Sequence, residues 1–266
     1  MNKPLDATYH CHTYRCGHAG GKDEEYVLSA IEAGYKVLGF SDHVILPDRM
    51  QPGMRGDPEE AEGYFKSIRE LEARYADRID IYLGFECEWF DGEYADYYKS
   101  LKDNKVDYLI LGQHCYLENG EFVFYRWMDD KEKALEHYTD NVVKAIESGF
   151  FAYVAHPDYF CYFYPNWNKK AIKAAKKILE TAEKYQIPLE INMCQSHWPR
   201  FAGRNDYDYP NDKFWELAEG YDIKVIFGVD AHLPVHLASV PYKWYLEFAK
   251  RHGLKIIKKL PISKRK

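Results

Sequence analysis

The sequence predicts an α/β protein built from one repeated strand–helix unit. Two observations carry this prediction: short apolar segments of strand length alternate seven times with longer amphipathic segments, and no Gly/Ser-rich linker interrupts the series. The apolar segments are nearly continuous rather than alternating, as in a parallel sheet that is covered on both faces. We therefore expect a single domain over residues 1–266.

The predicted elements follow one another in a regular order. Strands are expected at 5–10, 36–41, 79–86, 106–112, 151–155, 188–192 and 223–229. Helices are expected at 22–33, 58–75, 94–103, 130–148, 169–185, 212–219 and 235–251. Gly34 and Gly149 stand where a left-handed residue ends a helix, which supports the ends of the first and fourth helices.

Periodicity alone leaves an open doubly wound sheet and a closed barrel equally possible, and the polar residues decide between them. Every predicted strand ends in a polar side chain, and active sites of parallel β/α folds lie at that end of the strands. In an open sheet the outermost strand ends would be too far apart to converge. The residues therefore favour a closed (β/α)7 barrel with these side chains around one mouth: His10, His12, His18, Asp42, His43, Glu86, His114, His156, Asn192, Asp230 and His232.

The chemistry of this set indicates metal binding. His10 and His12 are two residues apart and face the same way on a strand, so both imidazoles can bind one ion. Asp230 and His232 repeat that spacing on the last strand. Taken singly, His43 or His156 would more often be a hydrogen-bonded polar residue, and Asp230 a helix cap. Imidazole and carboxylate ligands without cysteine suit Zn, Mn or Fe.

The number of ligands predicts more than two ions. The seven histidines of this set with Glu86 and Asp230 make nine candidate ligands, more than a binuclear site uses, so we expect three divalent metal ions with Glu86 as the bridging carboxylate.

Composition narrows the class of partner. The net charge of −6 gives no electrostatic reason to expect a nucleic-acid partner. No segment approaches the length of about 18 apolar residues that a membrane span needs. The first residues lack the apolar stretch of a secretory signal, so we expect a cytoplasmic protein; its oligomeric state stays open.

Taken in order, the motifs resemble the PHP (polymerase and histidinol phosphatase) family, and within it the monofunctional histidinol-phosphate phosphatases. The resemblance covers about residues 5–240. It rests on His10-x-His12, Cys16-Gly17-His18-Ala19, Ser41-Asp42-His43, Gly84-Phe85-Glu86, Gly112-Gln113-His114, His156-Pro157-Asp158 and Gly228-Val229-Asp230-Ala231-His232. It implies a distorted (β/α)7 barrel of the PHP type that holds three metals.

The resemblance also implies how the ligands are shared. The first metal would bind His10, His12, Glu86 and Asp230. The second would bind Glu86, His114 and His156, and the third His18, His43 and His232. The sequence departs from the family pattern in three places without losing a ligand, which weakens the assignment of one substrate: Thr8, Val229 and the segment Leu111-Gly112-Gln113-His114, where the family commonly has Gly-Ser-x-His.

The function implied is hydrolysis of L-histidinol phosphate in histidine biosynthesis, by attack of a metal-bridging hydroxide on phosphorus. One alternative is the same chemistry on a nucleotide, an oligonucleotide end or phosphotyrosine. Another is a metal-binding module without catalysis.

Candidate residues on the substrate side are less sharply defined. For a small-molecule phosphate ester of the kind that the resemblance implies, the candidate proton donors are Asp158, His197 and a metal-bound water. Arg200 is the preferred phosphate ligand, because the guanidinium of an arginine can bind two phosphate oxygens at once. We group it with Asp158 and His197 as a candidate catalytic residue. Further candidate substrate ligands are Arg204, Arg15 and Asn192, with Arg126 a weaker one. The aromatic run at 159–167 is either a wall over the substrate or a packed loop covering the rim.

Overall fold

The computed structural model describes residues 5–197 and 209–265, without the side chains of Gln195 and His197. Its strands are β1 (Ala7–Thr8), β2 (Val37–Phe40), β3 (Asp80–Cys87), β4 (Tyr108–Leu111), β5 (Cys115–Glu118), β6 (Glu121–Phe124), β7 (Leu189–Asn192), β8 (Lys224–Gly228) and β9 (Lys255–Ile256). Its helices are α1 (Asp23–Ala33), α2 (Ala61–Arg74), α3 (Ala95–Asn104), α4 (Lys131–Ser148), α5 (Phe160–Phe163), α6 (Lys169–Tyr185), α7 (Asp212–Ala218), α8 (His236–Ser239) and α9 (Tyr242–Arg251).

Seven segments pair in parallel around a closed ring. Strands β1, β2, β3 and β4 are neighbours in that order, and β7 pairs with β8. Val154 bridges Leu111 at the end of β4 and Leu189 at the start of β7. Cys11, just after β1, bridges Ala231, just after β8, and closes the ring. The predicted barrel is confirmed, with its fifth strand reduced to a single bridging residue.

The seam between β1 and β8 is distorted. At its carboxyl end the bridge between Cys11 and Ala231 joins the two strands. At its amino end β8 pairs instead with β9. The segment after β9 then runs under the barrel, where the backbone N–H of Leu260 donates to Tyr9 Oη at 3.3 Å.

Successive side chains of each strand point alternately to the outside and to the inside of the barrel. On β7, Leu189 and Ile191 pack in the main hydrophobic core beneath the helices. Glu190 and Asn192, at the intervening positions, face the barrel axis, where they meet each other and His10. This period of two, rather than apolarity alone, decides which side chains reach the mouth.

The amino-terminal half of the barrel interior is filled by aromatic and aliphatic side chains. Tyr108 meets Tyr9 edge to face, with 5.8 Å between the ring centroids. The Tyr108 hydroxyl donates to the backbone carbonyls of Tyr9 and Phe40 at 2.8 and 2.9 Å. Gly39 makes room for it, since a Cβ there would lie 2.3 Å from the Tyr108 oxygen. The inner cluster comprises Ala7, Tyr9, Val37, Tyr108, Ile110, Tyr153, Ala155, Ile226 and Leu260.

Two features differ from the sequence prediction. A hairpin of β5 and β6 follows β4 where no strands were predicted. The helix predicted at 235–251 is interrupted around Pro241, whose ring nitrogen lacks a hydrogen to donate, so α8 and α9 are separate. Gly34 and Gly149 end α1 and α4 in the left-handed conformation, as predicted. Among the described helices, none combines the length and apolar character needed to cross a membrane.

Candidate metal centre

The nine side chains predicted as metal ligands converge at the carboxyl-terminal mouth of the barrel, with Glu86 at their middle. Glu86 is the last inward-facing residue of β3 and is 1% exposed. Five histidine nitrogens surround its carboxylate: His156 Nε2 at 2.9 Å, His43 Nδ1 at 3.2 Å, His12 Nε2 at 3.3 Å, His10 Nε2 at 3.4 Å and His114 Nε2 at 3.8 Å.

Asp230 and His232 extend the cluster on the opposite side. His12 Nε2 and His10 Nε2 lie 3.3 and 3.5 Å from Asp230 Oδ1. His18 Nε2 lies 3.1 Å from His232 Nε2. Several triads of these side chains bring their ligand atoms within 4.8 Å of one another, the geometry that a metal ion requires. The two same-face pairs, His10 with His12 and Asp230 with His232, both point into the centre.

Four histidines are oriented by a hydrogen bond from Nδ1, which leaves Nε2 free to act as a ligand. His10 Nδ1 lies 2.9 Å from Glu190 Oε1, and His114 Nδ1 lies 3.1 Å from Glu88 Oε1. The other two use backbone carbonyls: Gly53 and Cys16 for His18, and Asp230 for His232. A metal-binding histidine characteristically donates its other N–H in this way, which fixes the tautomer and the ring orientation.

Glu190 and Glu88 are functional residues that the sequence analysis missed. Both are fully buried carboxylates at positions that continue the inward face of a strand. Glu190 lies two residues before Asn192, and Glu88 two residues after Glu86. The sequence could have indicated both residues, because each is a charged residue an even number of positions from a predicted inward-facing residue of the same apolar strand.

Small residues make room for the carboxylates. A Cβ on Gly112 would lie 1.8 Å from Glu86 Oε1, and a Cβ on Gly228 would lie 1.7 Å from Glu190 Oε1. The backbone itself is strained at two predicted ligands, since φ is +30° at His156 and +51° at Asp230. Such left-handed conformations in non-glycine residues are concentrated at functional sites.

The residues present fit a group of divalent metal ions. Several buried polar atoms of the predicted ligand residues have no hydrogen-bond partner among the described residues: His10 Nε2, His12 Nδ1, His43 Nδ1, His156 Nδ1 and Asp230 Oδ1. Leaving buried polar atoms unpaired is costly, and a bound cation would satisfy those that face the centre. The donor set is imidazole and carboxylate, which suits zinc, manganese or iron.

The pKa values of the buried histidines shift in opposite directions, depending on whether burial or the neighbouring carboxylates dominate. Burial lowers the pKa of His43 well below its usual range and that of His232 to about 3. Burial also disfavours the charged forms of His10 and His12, but neighbouring carboxylates outweigh it; the pKa of His12 rises to about 9 and that of His10 well above its usual range. Metal binding at His10 and His12 would therefore release protons.

Above the ligands lies a cavity of about 380 Å³ with an aromatic wall, and Arg126 is the one arginine or lysine among its described lining residues. Tyr159 and Tyr162 line this cavity, whereas Phe160 and Phe163 are buried in the main core. The aromatic run after His156 is therefore divided between the cavity wall and the packed core, and contact with a substrate stays a prediction. Phe124, from the unpredicted hairpin, adds to the wall.

Other predicted substrate-side residues lie away from this cavity. Asn192 donates to Glu190 Oε2 at 2.8 Å and to Asp230 Oδ2 at 3.1 Å, so it lies behind a predicted ligand rather than in front of it. The Arg15 guanidinium is paired with Asp23 and belongs to a separate surface depression beside α1.

Asp158 also lies outside the cavity lining and is fully buried. Its Oδ2 accepts from Asn211 N at 2.6 Å and from Trp215 Nε1 at 3.0 Å. These contacts tie Oδ2 to the start of α7 and hold the carboxylate outside the cavity lining, which does not support the predicted role as a proton donor. Arg200, Arg204 and the side chain of His197 lie outside the described part of the chain.

The fold and the site together define a β/α-barrel protein whose mouth carries a cluster of side chains able to hold several metal ions. The PHP domain family matches residues 8–194, which is more than half of the chain. The chain belongs to the PHP family.

Relatives support the same grouping. A probable histidinol-phosphatase of Deinococcus radiodurans is 32% identical over 154 residues, covering 56% of this chain and 59% of that protein. The chain thus aligns with less than two thirds of that relative's length. A probable histidinol-phosphatase of Schizosaccharomyces pombe is 25% identical over 279 residues, covering 92% of this chain and 87% of that protein.

A solved structure shares the fold. The histidinol phosphate phosphatase of Lactococcus lactis, crystallised with zinc, L-histidinol and phosphate, superposes with a TM-score of 0.72 at 18% identity. The superposition covers 98% of this chain and 99% of the Lactococcus chain. At this identity the likeness establishes the barrel architecture.

Proposed function

We propose that this chain is a metal-dependent phosphomonoesterase that hydrolyses L-histidinol phosphate to L-histidinol and phosphate. The observation that carries the proposal is the set of nine ligand side chains around Glu86 at the base of a cavity walled by aromatic rings. The names of the relatives from Deinococcus and Schizosaccharomyces and of the Lactococcus enzyme support the substrate. The reaction belongs to histidine biosynthesis, a cytoplasmic pathway.

We propose that the ligands hold three divalent ions. His10, His12, Glu86 and Asp230 form the first group, and Glu86, His114 and His156 the second. His18, His43 and His232 form the third, although His43 Nδ1 faces Glu86 and so lies between the last two groups. When bound, such ions lower the pKa of water toward about 7 and neutralise negative charge on a phosphoryl group.

The chain's own residues supply binding and orientation. Arg126 follows the β5–β6 hairpin and lines the cavity, where its guanidinium can donate hydrogen bonds to two phosphate oxygens. Tyr159 and Tyr162 are stacked, with 6.1 Å between their ring centroids, and present aromatic surface on which an imidazole can pack. Because Asp158 is engaged with Trp215, the proposed proton donor is His197, and Arg200 and Arg204 remain proposed phosphate ligands.

The test is phosphate release from L-histidinol phosphate beside a panel of nucleotides and sugar phosphates, with added manganese or zinc. We expect a clear preference for histidinol phosphate, with kcat/KM above about 10⁴ M⁻¹s⁻¹. Strong turnover of another panel member would keep the metal centre and change the substrate. Full metal content without turnover of any member would contradict the phosphatase proposal.

Arg126→Ala provides a test of phosphate binding. Loss of a charge-assisted contact to phosphate weakens binding by about 1.5–3 kcal/mol, so KM should rise roughly 10- to 100-fold. The matched control is Arg78→Ala, which removes an exposed arginine that stacks on Tyr75 outside the cavity. A normal KM in the Arg126 variant would place phosphate recognition elsewhere.

A further inference from the structure

Arg55 is a fully engaged arginine buried beside the metal centre. Only 2% of its surface is exposed. Its Nε donates to Gln51 Oε1 at 2.6 Å, and its Nη1 donates to the carbonyl of Val44 at 2.9 Å. Its Nη2 donates to Glu88 Oε2 at 3.0 Å. The guanidinium therefore joins the loop after β2 to the carboxyl end of β3.

The carboxylate that Arg55 holds also orients a proposed ligand. Glu88 is fully buried, and its second oxygen lies 3.1 Å from His114 Nδ1. Arg55 thus fixes the carboxylate in the position from which it accepts the imidazole N–H. With Nδ1 so occupied, His114 turns Nε2 toward Glu86, at 3.8 Å.

The same arginine holds the turn that orients a second ligand. The backbone N–H groups of Met54 and Arg55 donate to the Gln51 carbonyl at 3.0 and 3.1 Å, which forms a tight turn around Gly53. The Gly53 carbonyl points at His18 Nδ1, at 3.1 Å. Through Gln51, Arg55 therefore stabilises one of the two backbone oxygens that orient His18, the other being that of Cys16.

The opposite part of the centre depends on different contacts. His10 is held by Glu190, and Asp230 by Asn192, both of which come from β7 inside the barrel. Neither contact involves the loop after β2. The ligands therefore form two groups. His10 and Asp230 are held by residues of β7, whereas His114 and His18 depend on contacts that involve the loop after β2.

We propose that Arg55 is a positioning residue for the metal centre: by fixing Glu88 and the turn at Gly53, it sets the metal affinity of the part formed by His114 and His18. This inference rests on the metal centre of the proposed function but not on the identity of the substrate. Its consequence is that losing Arg55 and Glu88 weakens the binding of some of the ions and leaves the others unchanged.

The experiment separates positioning from simple structural support. Removing one member of a buried ion pair leaves a stranded charge, whereas replacing both members with apolar residues of similar size is often neutral for folding. The double variant Arg55→Met/Glu88→Leu should therefore fold while leaving His114 without its hydrogen-bond partner. Its matched control is Arg74→Met/Glu24→Leu, which removes an exposed ion pair of 2.7 Å remote from the centre.

The measurement is zinc release from the full chain, titrated with a chelator and followed by elemental analysis, with circular dichroism as the readout of folding. Loss of a hydrogen-bond partner to a metal ligand typically lowers metal affinity about 10- to 100-fold. We expect one part of the zinc to be released from the double variant at a chelator concentration at least about tenfold lower, and the remainder to be released as in wild type. A folded double variant with the wild-type release curve would overturn the proposal.

If the double variant fails to fold, the Glu88→Gln variant tests the proposal instead, because it keeps the shape of the Glu88 side chain and removes its charge. Weaker zinc retention confined to one part of the bound metal would support the proposal, and an unchanged curve would overturn it. Wild-type protein with fewer than two zinc equivalents after metal-replete purification would instead refute the three-metal centre, and this inference with it.

Discussion

The two ends of the barrel interior are built on the same strands yet have opposite chemistry. At the amino end, Tyr9, Tyr108 and Tyr153 belong to a closely packed inner cluster. At the carboxyl end, the inward positions carry Glu86 and Glu190 among buried histidines. Aromatic packing stabilises a fold directly, whereas buried ionisable groups cost stability unless each is paired. The comparison teaches that stability and chemistry can be separated along one axis of a single barrel.

The largest effect that would sharpen this comparison is expected from Glu86→Gln. The change removes the charge that faces five histidines, and with it the bridging ligand of two proposed ions. Metal ions contribute several kcal/mol to stabilising a phosphoryl transition state, so activity should fall by at least about 10³-fold. Phosphate release and zinc content measured together would check this. Full zinc content with normal activity would show that Glu86 is not a ligand.

A smaller effect is expected from Gly228→Ala. The new methyl group would meet Glu190 Oε1, whose position leaves no room for a Cβ, and would displace the carboxylate that orients His10. Metal affinity should fall about 10- to 100-fold. Gly63→Ala is the control, because the position lies in α2 with open space around it and the change should stabilise that helix by up to about 1 kcal/mol. Equal metal retention in both variants would contradict the prediction.

Asp158, two residues after the predicted ligand His156, is a fully buried carboxyl. Its titration should make the free energy of unfolding depend on pH. Burial raises the pKa of its carboxyl from 3.8 to about 6, so between these values the folded protein binds more protons than the unfolded chain. This contribution to stability is fully present below about pH 4 and is lost as the pH rises through 6, at most about 3 kcal/mol.

The Asp158→Asn variant should therefore lack this part of the pH dependence. Denaturant unfolding of both proteins in chelator, from pH 4 to pH 7, measures the difference without a contribution from metal release. Parallel stability curves for the two proteins would show that the carboxyl does not titrate in this range.

The smallest effect is expected at the amino end, from Tyr108→Phe. The variant loses the hydroxyl that donates to the Tyr9 and Phe40 carbonyls and keeps the packed ring. The free energy of unfolding should fall by about 1–2 kcal/mol. Activity and zinc content of the folded variant should stay at wild-type values. Loss of zinc from the folded Tyr108→Phe variant would show that the two ends of the barrel are not independent.

The barrel and the convergence of the ligands could be predicted because both follow from local patterns. Strand periodicity places His10 and His12 on one face, and parallel strands bring their carboxyl ends to one mouth. That reasoning needs no knowledge of which strands are neighbours across the ring. Roles for the individual ligands stay predictions until metal binding is measured.

The supporting contacts could not be predicted because they join distant parts of the sequence. Glu190 meets His10 across 180 positions, and Arg55 meets Glu88 across 33. Nothing local distinguishes Arg55 from a surface arginine. The same limit explains Arg15 and Asn192, which have the right chemistry near a strand end but are already engaged by Asp23 and by Glu190.

The segment that runs under the barrel has a consequence for the order of folding during synthesis. Tyr9 emerges from the ribosome early, but its hydroxyl meets Leu260 only after a further 251 residues have been added. The strands β1 to β4 pair with sequence neighbours and can assemble while translation continues, whereas this contact must wait until the segment after β9 has been made. We therefore expect nascent chains truncated before β9 to leave the underside of the barrel open to chaperones and proteases.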